Sequence, residues 1–138
     1  VLEYGGGGDW YSDPTAVPNL VKFSNSNINM AIDEKVEQVK PDSPTIFQYP
    51  YVEMTGHGNV SFSDNEAQNL KKYLLSGGFL HADDNYGMKP YFIEAMKKVF
   101  PDKQWKSFLL IIRCSTVFSN SRKDCPRSTD MTIKGHKP

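Results

Sequence analysis

The stretch from Ser63 to Asn85 leaves this chain few ways to fold. Ser63-Asp64-Asn65-Glu66 reads as a capping box, in which the serine hydroxyl and the glutamate carboxylate each satisfy an amide that the first helical turn leaves without a partner. Ala67, Leu70, Tyr73 and Leu74 then recur at helical spacing, which predicts a helix with one apolar face. Gly77 supplies the left-handed residue that ends the helix, and Gly78 frees the turn. Phe79-Leu80-His81-Ala82 is short and apolar, as a strand buried on both faces of a parallel sheet would be. It stops abruptly at Asp83-Asp84-Asn85. Adjacent carboxylates at the carboxyl end of a buried strand sit where open α/β sheets place their ligands, so function is expected there.

The rest of the chain arranges itself around that unit. Val1 to Tyr4 reads as a first strand running into Gly5-Gly6-Gly7-Gly8-Asp9-Trp10. The glycines of this loop let backbone amides approach a ligand, or simply join a strand to a helix. The spaced glycines of a dinucleotide fingerprint are absent. Asp13 as cap and Pro14 at the first position predict a helix whose apolar side is Val17, Leu20, Val21 and Phe23, ending at Ser24 to Asn27. A short edge strand is expected at Lys35 to Val39 and a single turn at Ile46-Phe47. Tyr51-Val52-Glu53-Met54 is the next strand, closed by Thr55-Gly56-His57-Gly58. A third helix carries Pro90 in its first turn, turns Phe92, Ile93, Met96, Val99 and Phe100 inward, and stops at Pro101. Trp105 is expected to begin a further strand. Alternating strands and helices with short connections imply a right-handed, mainly parallel α/β sheet covered on both faces.

At 138 residues the chain suits one domain with a real core. Its 16 basic residues balance 16 acidic ones, so no global field draws it to nucleic acid or an anionic membrane. No run is long enough for a transmembrane helix. The chain begins at Val1, and a removed signal peptide and a gene fragment both fit that start.

Three strand-end loops carry the candidate site: Gly7, Gly8, Asp9 and Trp10; His57; and Asp83, Asp84, Asn85 and Tyr86. Trp10, Tyr11 and Tyr86 would stack on a small polar ligand, and Asp83 or Asp84 would bind its hydroxyls. If a metal binds, His57 and Asp83 are its ligands, although no His-x-x-x-His or Cys-x-x-Cys spacing calls for one. Other roles stay open. Asp84 or Asn85 could cap the turn before Met88, and His57 could be a hydrogen-bonded turn residue between two glycines. His81 reads as a satisfied core imidazole. No Gly-x-Ser-x-Gly or Gly-x-Cys-x-Gly elbow is present, which excludes an amidotransferase-type cysteine nucleophile.

Tyr4-Gly5-Gly6-Gly7-Gly8-Asp9-Trp10-Tyr11, Thr55-Gly56-His57-Gly58-Asn59 and Gly77 to Gly87 resemble a bacterial family known as domain of unknown function 4159, as does Val99-Phe100-Pro101-Asp102. The resemblance runs from Val1 to about Trp105. It implies a place in the class I glutamine amidotransferase-like superfamily, near the trehalose-utilisation type that lacks glutaminase chemistry. It further implies a three-layer α/β/α, flavodoxin-like fold, no assigned activity or cofactor, and export to the periplasm rather than a cytoplasmic home.

Beyond Trp105 the chain departs from that family. Where relatives continue with His-Pro-x-x-His and Gly-Leu-Pro-Lys-Ile-His stretches, it reads Phe108 to Pro138, rich in Ser, Arg and Lys. Back-translated and regrouped by one base, Ile111 to Thr116 can encode His-Pro-Val-Phe-His, and Lys123 to Pro126 forces a leucine where the family has Gly-Leu-Pro. The expected organisation is therefore a C-terminally incomplete α/β domain at 1–108 and an out-of-frame, disordered tail at 109–138. The function this suggests is binding of a small, sugar-like ligand at the strand carboxyl ends. The alternatives are a metal-dependent hydrolase, whose site the missing His-Pro-x-x-His residues would complete, and a protein-interaction module.

Overall fold

Helix α2 (Asp64–Leu75) begins as its first residues require. The Ser63 hydroxyl accepts from the Glu66 amide at 3.3 Å, while the Ser63 amide donates to the Glu66 carboxylate at 2.6 Å. At the other end Gly77 adopts a positive φ of 101°, a conformation that glycine enters without a Cβ penalty. The Gly77 and Gly78 amides then bond back to the carbonyls of Leu74 and Tyr73, at 3.3 and 3.0 Å, which is the Schellman arrangement. The computed structural model describes residues 1–104 and 106. The strand expected at Trp105 and the tail from 109 onward lie outside the described residues.

The other elements are α1 (Ala16–Asn27), a 3₁₀ turn at Pro44–Gln48, β1 (Tyr51–His57), β2 (Phe79–Tyr86) and α3 (Lys89–Val99). Strands β1 and β2 pair in parallel across the α2 crossover, from Tyr51 opposite Phe79 to Gly56 opposite Asp84. A register shift then sets His57 opposite Tyr86. Both strands run further than the apolar runs alone suggested. The N-terminal segment lies along β1, where the Leu2 amide donates to the Glu53 carbonyl at 2.7 Å. Beyond it, Glu3 donates to the Val39 carbonyl and Val39 to the Val1 carbonyl, at 2.9 and 3.0 Å. The edge strand expected over Lys35 to Val39 is thus a bridge between Leu2 and Val39. The chain has α/β character with a small parallel sheet.

One sheet face carries the core. Val52 and Met54 of β1 are buried with Ala67, Leu70 and Tyr73 of α2 and Ala95, Met96 and Val99 of α3. Leu80 and Ala82 pack against this cluster but remain half-buried. Successive strand residues point to opposite faces, so Phe79, His81 and Asp83 turn away from the cluster, and all three are exposed. The expectation of a strand buried on both faces is therefore corrected: among the described residues β2 is covered on one. Helix α1 differs from expectation too. Thr15, not Asp13, is its cap residue, and the face it buries carries Val21 and Ser24, while Leu20 and Phe23 are exposed. Val17, Val21 and Ser24 are spaced i, i+4, i+7 and share a stripe, and Leu20 and Phe23 fall on the stripe beside it.

Candidate functional site

Two strand-end loops are tied together by one carboxylate. The His57 amide donates to Asp9 Oδ1 at 2.5 Å, and the His57 ring Nδ1 lies 2.9 Å from Asp9 Oδ2. The contact spans 48 positions of sequence, so the glycine loop and the end of β1 form one structure. Asp9 acts here as the acceptor for both a main-chain and a ring donor. Those bonds, the main-chain one first, hold its carboxyl below the ordinary aspartate value. A depressed folded value means that the bond stabilises the loop above the unfolded carboxyl pKa and loses that contribution as pH falls through the folded one. In a side-chain carbon NMR titration the Asp9 midpoint is expected below 3.8. His57→Ala should retain most of the depression, because the chief donor is the backbone amide, which alanine keeps. A wild-type midpoint at or above the reference value would contradict this geometry.

The glycine loop folds onto the chain after β1 rather than standing open along its length. Gly5 forms an antiparallel bridge with Ser61, whose amide donates to the Gly5 carbonyl at 2.9 Å. Gly7 faces open space, whereas Gly8 is pressed against the Asn59 and His57 carbonyls and the Tyr4 ring. Beneath them the buried Tyr4 hydroxyl donates to the Thr55 carbonyl at 3.0 Å. Trp10 is half-buried against the core and meets Tyr11 edge to face, with 5.5 Å between ring centroids. Tyr11 is exposed.

The Asp83 to Tyr86 residues divide among separate tasks. Asp84 is a local cap: its carboxylate oxygens accept from the Met88 and Lys89 amides at 2.8 and 3.0 Å, which fixes the entry to α3. Asn85 reaches the first loop, donating to the Ser12 hydroxyl at 3.1 Å. Tyr86 stands opposite His57, accepts from the Gly58 amide through its carbonyl, and is 81% exposed. Asp83 lies opposite Thr55 at the same strand ends. Asp9, Ser12, His57, Asn85 and Tyr86 thus form one neighbourhood, and Asp83 borders it on the sheet face that the core leaves open. Among the described residues, no group of three His, Cys, Asp or Glu is placed to hold a metal ion.

The sequence reading passed over a second group on that open face. Glu53 is 6% exposed, yet it is neither alone nor in an apolar setting. His81 Nδ1 lies 2.8 Å from Glu53 Oε2, and the Tyr51 hydroxyl donates to the same oxygen. Burial, and then the bond to Glu53, push the Tyr51 hydroxyl above its ordinary pKa. His81 is hydrogen-bonded as expected but is not a core residue, since half of its side chain is exposed. The signal that could have found the group was Glu53 itself: a carboxylate inside a run of buried residues requires a partner.

With this geometry in place, the chain can be set beside known proteins. No curated protein matches it. The family model described as Domain of unknown function (DUF4159) matches residues 1–108, so the chain belongs to that family.

Proposed function

We propose that this DUF4159 chain binds a small, neutral, sugar-like ligand at the carboxyl ends of its strands. The observation that carries the reading is the Asp9–His57 tie, which joins a carboxylate and an imidazole at the strand ends. There the register sets the exposed Tyr86 opposite His57, and the glycine loop runs into the exposed Tyr11. Flat aromatic faces take the C–H faces of a sugar, and the nearby carboxylate, hydroxyl and amide groups match its hydroxyls. Asn85 and Ser12 already pair across the two loops, so they would position the rim rather than move to meet the ligand.

The full chain, titrated with glucose, galactose and trehalose in amide NMR, should show saturable shifts at His57, Asn85 and Tyr86. Tyr86→Ala, a change at an exposed position, should weaken that binding at least ten-fold. No saturable shift with any neutral saccharide would overturn the reading. Stoichiometric uptake of zinc or manganese, lost in His57→Ala and Asp83→Ala, would replace it with a metal-dependent hydrolase.

Three further readings accompany this one. The parallel pairing across α2 supports a three-layer α/β/α sheet of the amidotransferase-like kind, without its cysteine nucleophile. The family match ends at residue 108, which supports a domain at 1–108 followed by an out-of-frame segment at 109–138. The nucleotide sequence across the Trp105 codon decides that point.

A further inference from the structure

The sheet face turned away from the core holds a second set of polar groups, which meets the Asp9–His57 neighbourhood only at Asp83. The strand register places Glu53 directly opposite His81 and Thr55 directly opposite Asp83. Residues two apart on a strand share a face, so these four side chains form a compact square, two from each strand. Glu53 and Thr55 are 6% and 2% exposed, whereas His81 and Asp83 are accessible. Beside the square, Tyr51 stacks on Phe79 at 5.9 Å and on His81 at 6.3 Å between centroids.

The hydrogen-bonding inventory of this square is unbalanced. A carboxylate only accepts, so His81 donates through Nδ1 to Glu53, and in that tautomer of the uncharged ring Nε2 is the acceptor. Asp83 adds further acceptor oxygens. Among the described residues the Thr55 hydroxyl is buried without a hydrogen-bond partner, and a buried hydroxyl left unpaired is costly. Among the described residues no lysine or arginine forms an ion pair with Glu53 or Asp83. The face therefore offers acceptors and negative charge beside aromatic rings. Its donors, the Tyr51 hydroxyl and the His81 ring, are already given to Glu53. The Val1 ammonium that feels Glu53 is bonded to the Glu37 carbonyl, and among the described residues Asp83 has no cation partner.

We propose that Glu53, Thr55, His81 and Asp83 form a binding site for a primary ammonium group. An ammonium carries three donors and no acceptor, which matches Asp83, His81 Nε2 and the Thr55 hydroxyl as acceptors. The Tyr51 and Phe79 rings supply the kind of surface over which a cation is attracted. Glu53 is a positioning residue, since it fixes the His81 ring and tautomer from beneath. A neutral polyol would bring as many acceptors as donors and leave the imbalance in place. A free amine and a lysine side chain of another polypeptide carry the same group.

The test is NMR titration of the full chain with n-butylammonium, with n-butanol as the neutral control. Nα-acetyl-lysine N-methylamide represents a polypeptide source. Butylammonium or the lysine amide should shift His81, Thr55 and Asp83 signals saturably, while butanol leaves them in place. Tighter binding of the lysine amide assigns the site to a polypeptide, and equal or tighter binding of butylammonium assigns it to free amines. Asp83→Asn, at an exposed position, should weaken binding at least ten-fold, and the near-isosteric Thr55→Val at least three-fold. Equal shifts with butanol, unchanged affinity in Asp83→Asn, or displacement of the amine by lower concentrations of magnesium or zinc would each overturn the proposal. The saccharide titration reads His57 and Tyr86, so either site can fail without the other.

Discussion

Leu70→Ala is expected to lower the unfolding free energy by about 2–5 kcal/mol, the range for truncating a fully buried leucine. Leu70 is 0% exposed and sits in the cluster that joins α2 to β1 and α3. Truncation there removes buried methyl groups and leaves a cavity. Tyr73 holds the turn of α2 closed through its hydroxyl, bonded to the Tyr49 and Phe79 carbonyls at 2.9 and 3.3 Å, so the walls are poorly placed to collapse inward. Denaturant unfolding measures the change as a shifted midpoint at constant slope. Leu75, five positions on and 70% exposed, is the internal control, and Leu75→Ala should change stability by no more than about 0.5 kcal/mol. A Leu70→Ala loss under about 1 kcal/mol would mean that α2 does not pack on the sheet through this face.

What could be read from residues alone was what short-range chemistry decides. The capping box at Ser63 and Glu66, the Gly77 terminator and the 3.6-residue stripe of Ala67, Leu70 and Tyr73 all depend on neighbours within a few positions. Each formed as read. The apolar run at Phe79 misled for a related reason. Apolar content shows that a strand can be buried, but only the packing of α2 and α3 determines that one face is covered. The site divided in the same way. Asp84 as a cap was a local possibility and is realised. The bond from His57 to Asp9 crosses 48 positions, and neither residue's neighbours indicate it. Glu53 escaped notice because partners on two strands, Tyr51 and His81, become adjacent only once the register is set.

Gly56→Ala is expected to be the most damaging small change near the strand ends, because it strikes both the fold and the site. Gly56 holds a φ of +146°, a conformation closed to side chains with a Cβ, and strain of this type costs about 1–3 kcal/mol. An added Cβ would also lie 2.2 Å from the Tyr4 hydroxyl and 3.1 Å from the Asp9 carbonyl oxygen. Tyr4 cannot yield cheaply, since it is buried and its hydroxyl is bonded to the Thr55 carbonyl. The Asp9 backbone can yield only by drawing its carboxylate away from His57. Overpacking of this sort adds about 1–3 kcal/mol, so the total expected is about 2–6 kcal/mol. Gly58→Ala separates the two causes, because Gly58 also has a positive φ, +70°, but an added Cβ there meets nothing within 4 Å. It should show the strain without the clash. The distinguishing readout is the Asp9 side-chain titration. In Gly56→Ala its midpoint should rise toward the ordinary aspartate value as the His57 amide bond lengthens, and in Gly58→Ala it should stay depressed. Equal stability loss and equal Asp9 midpoints in the two variants would show that the glycine loop does not rest on the end of β1.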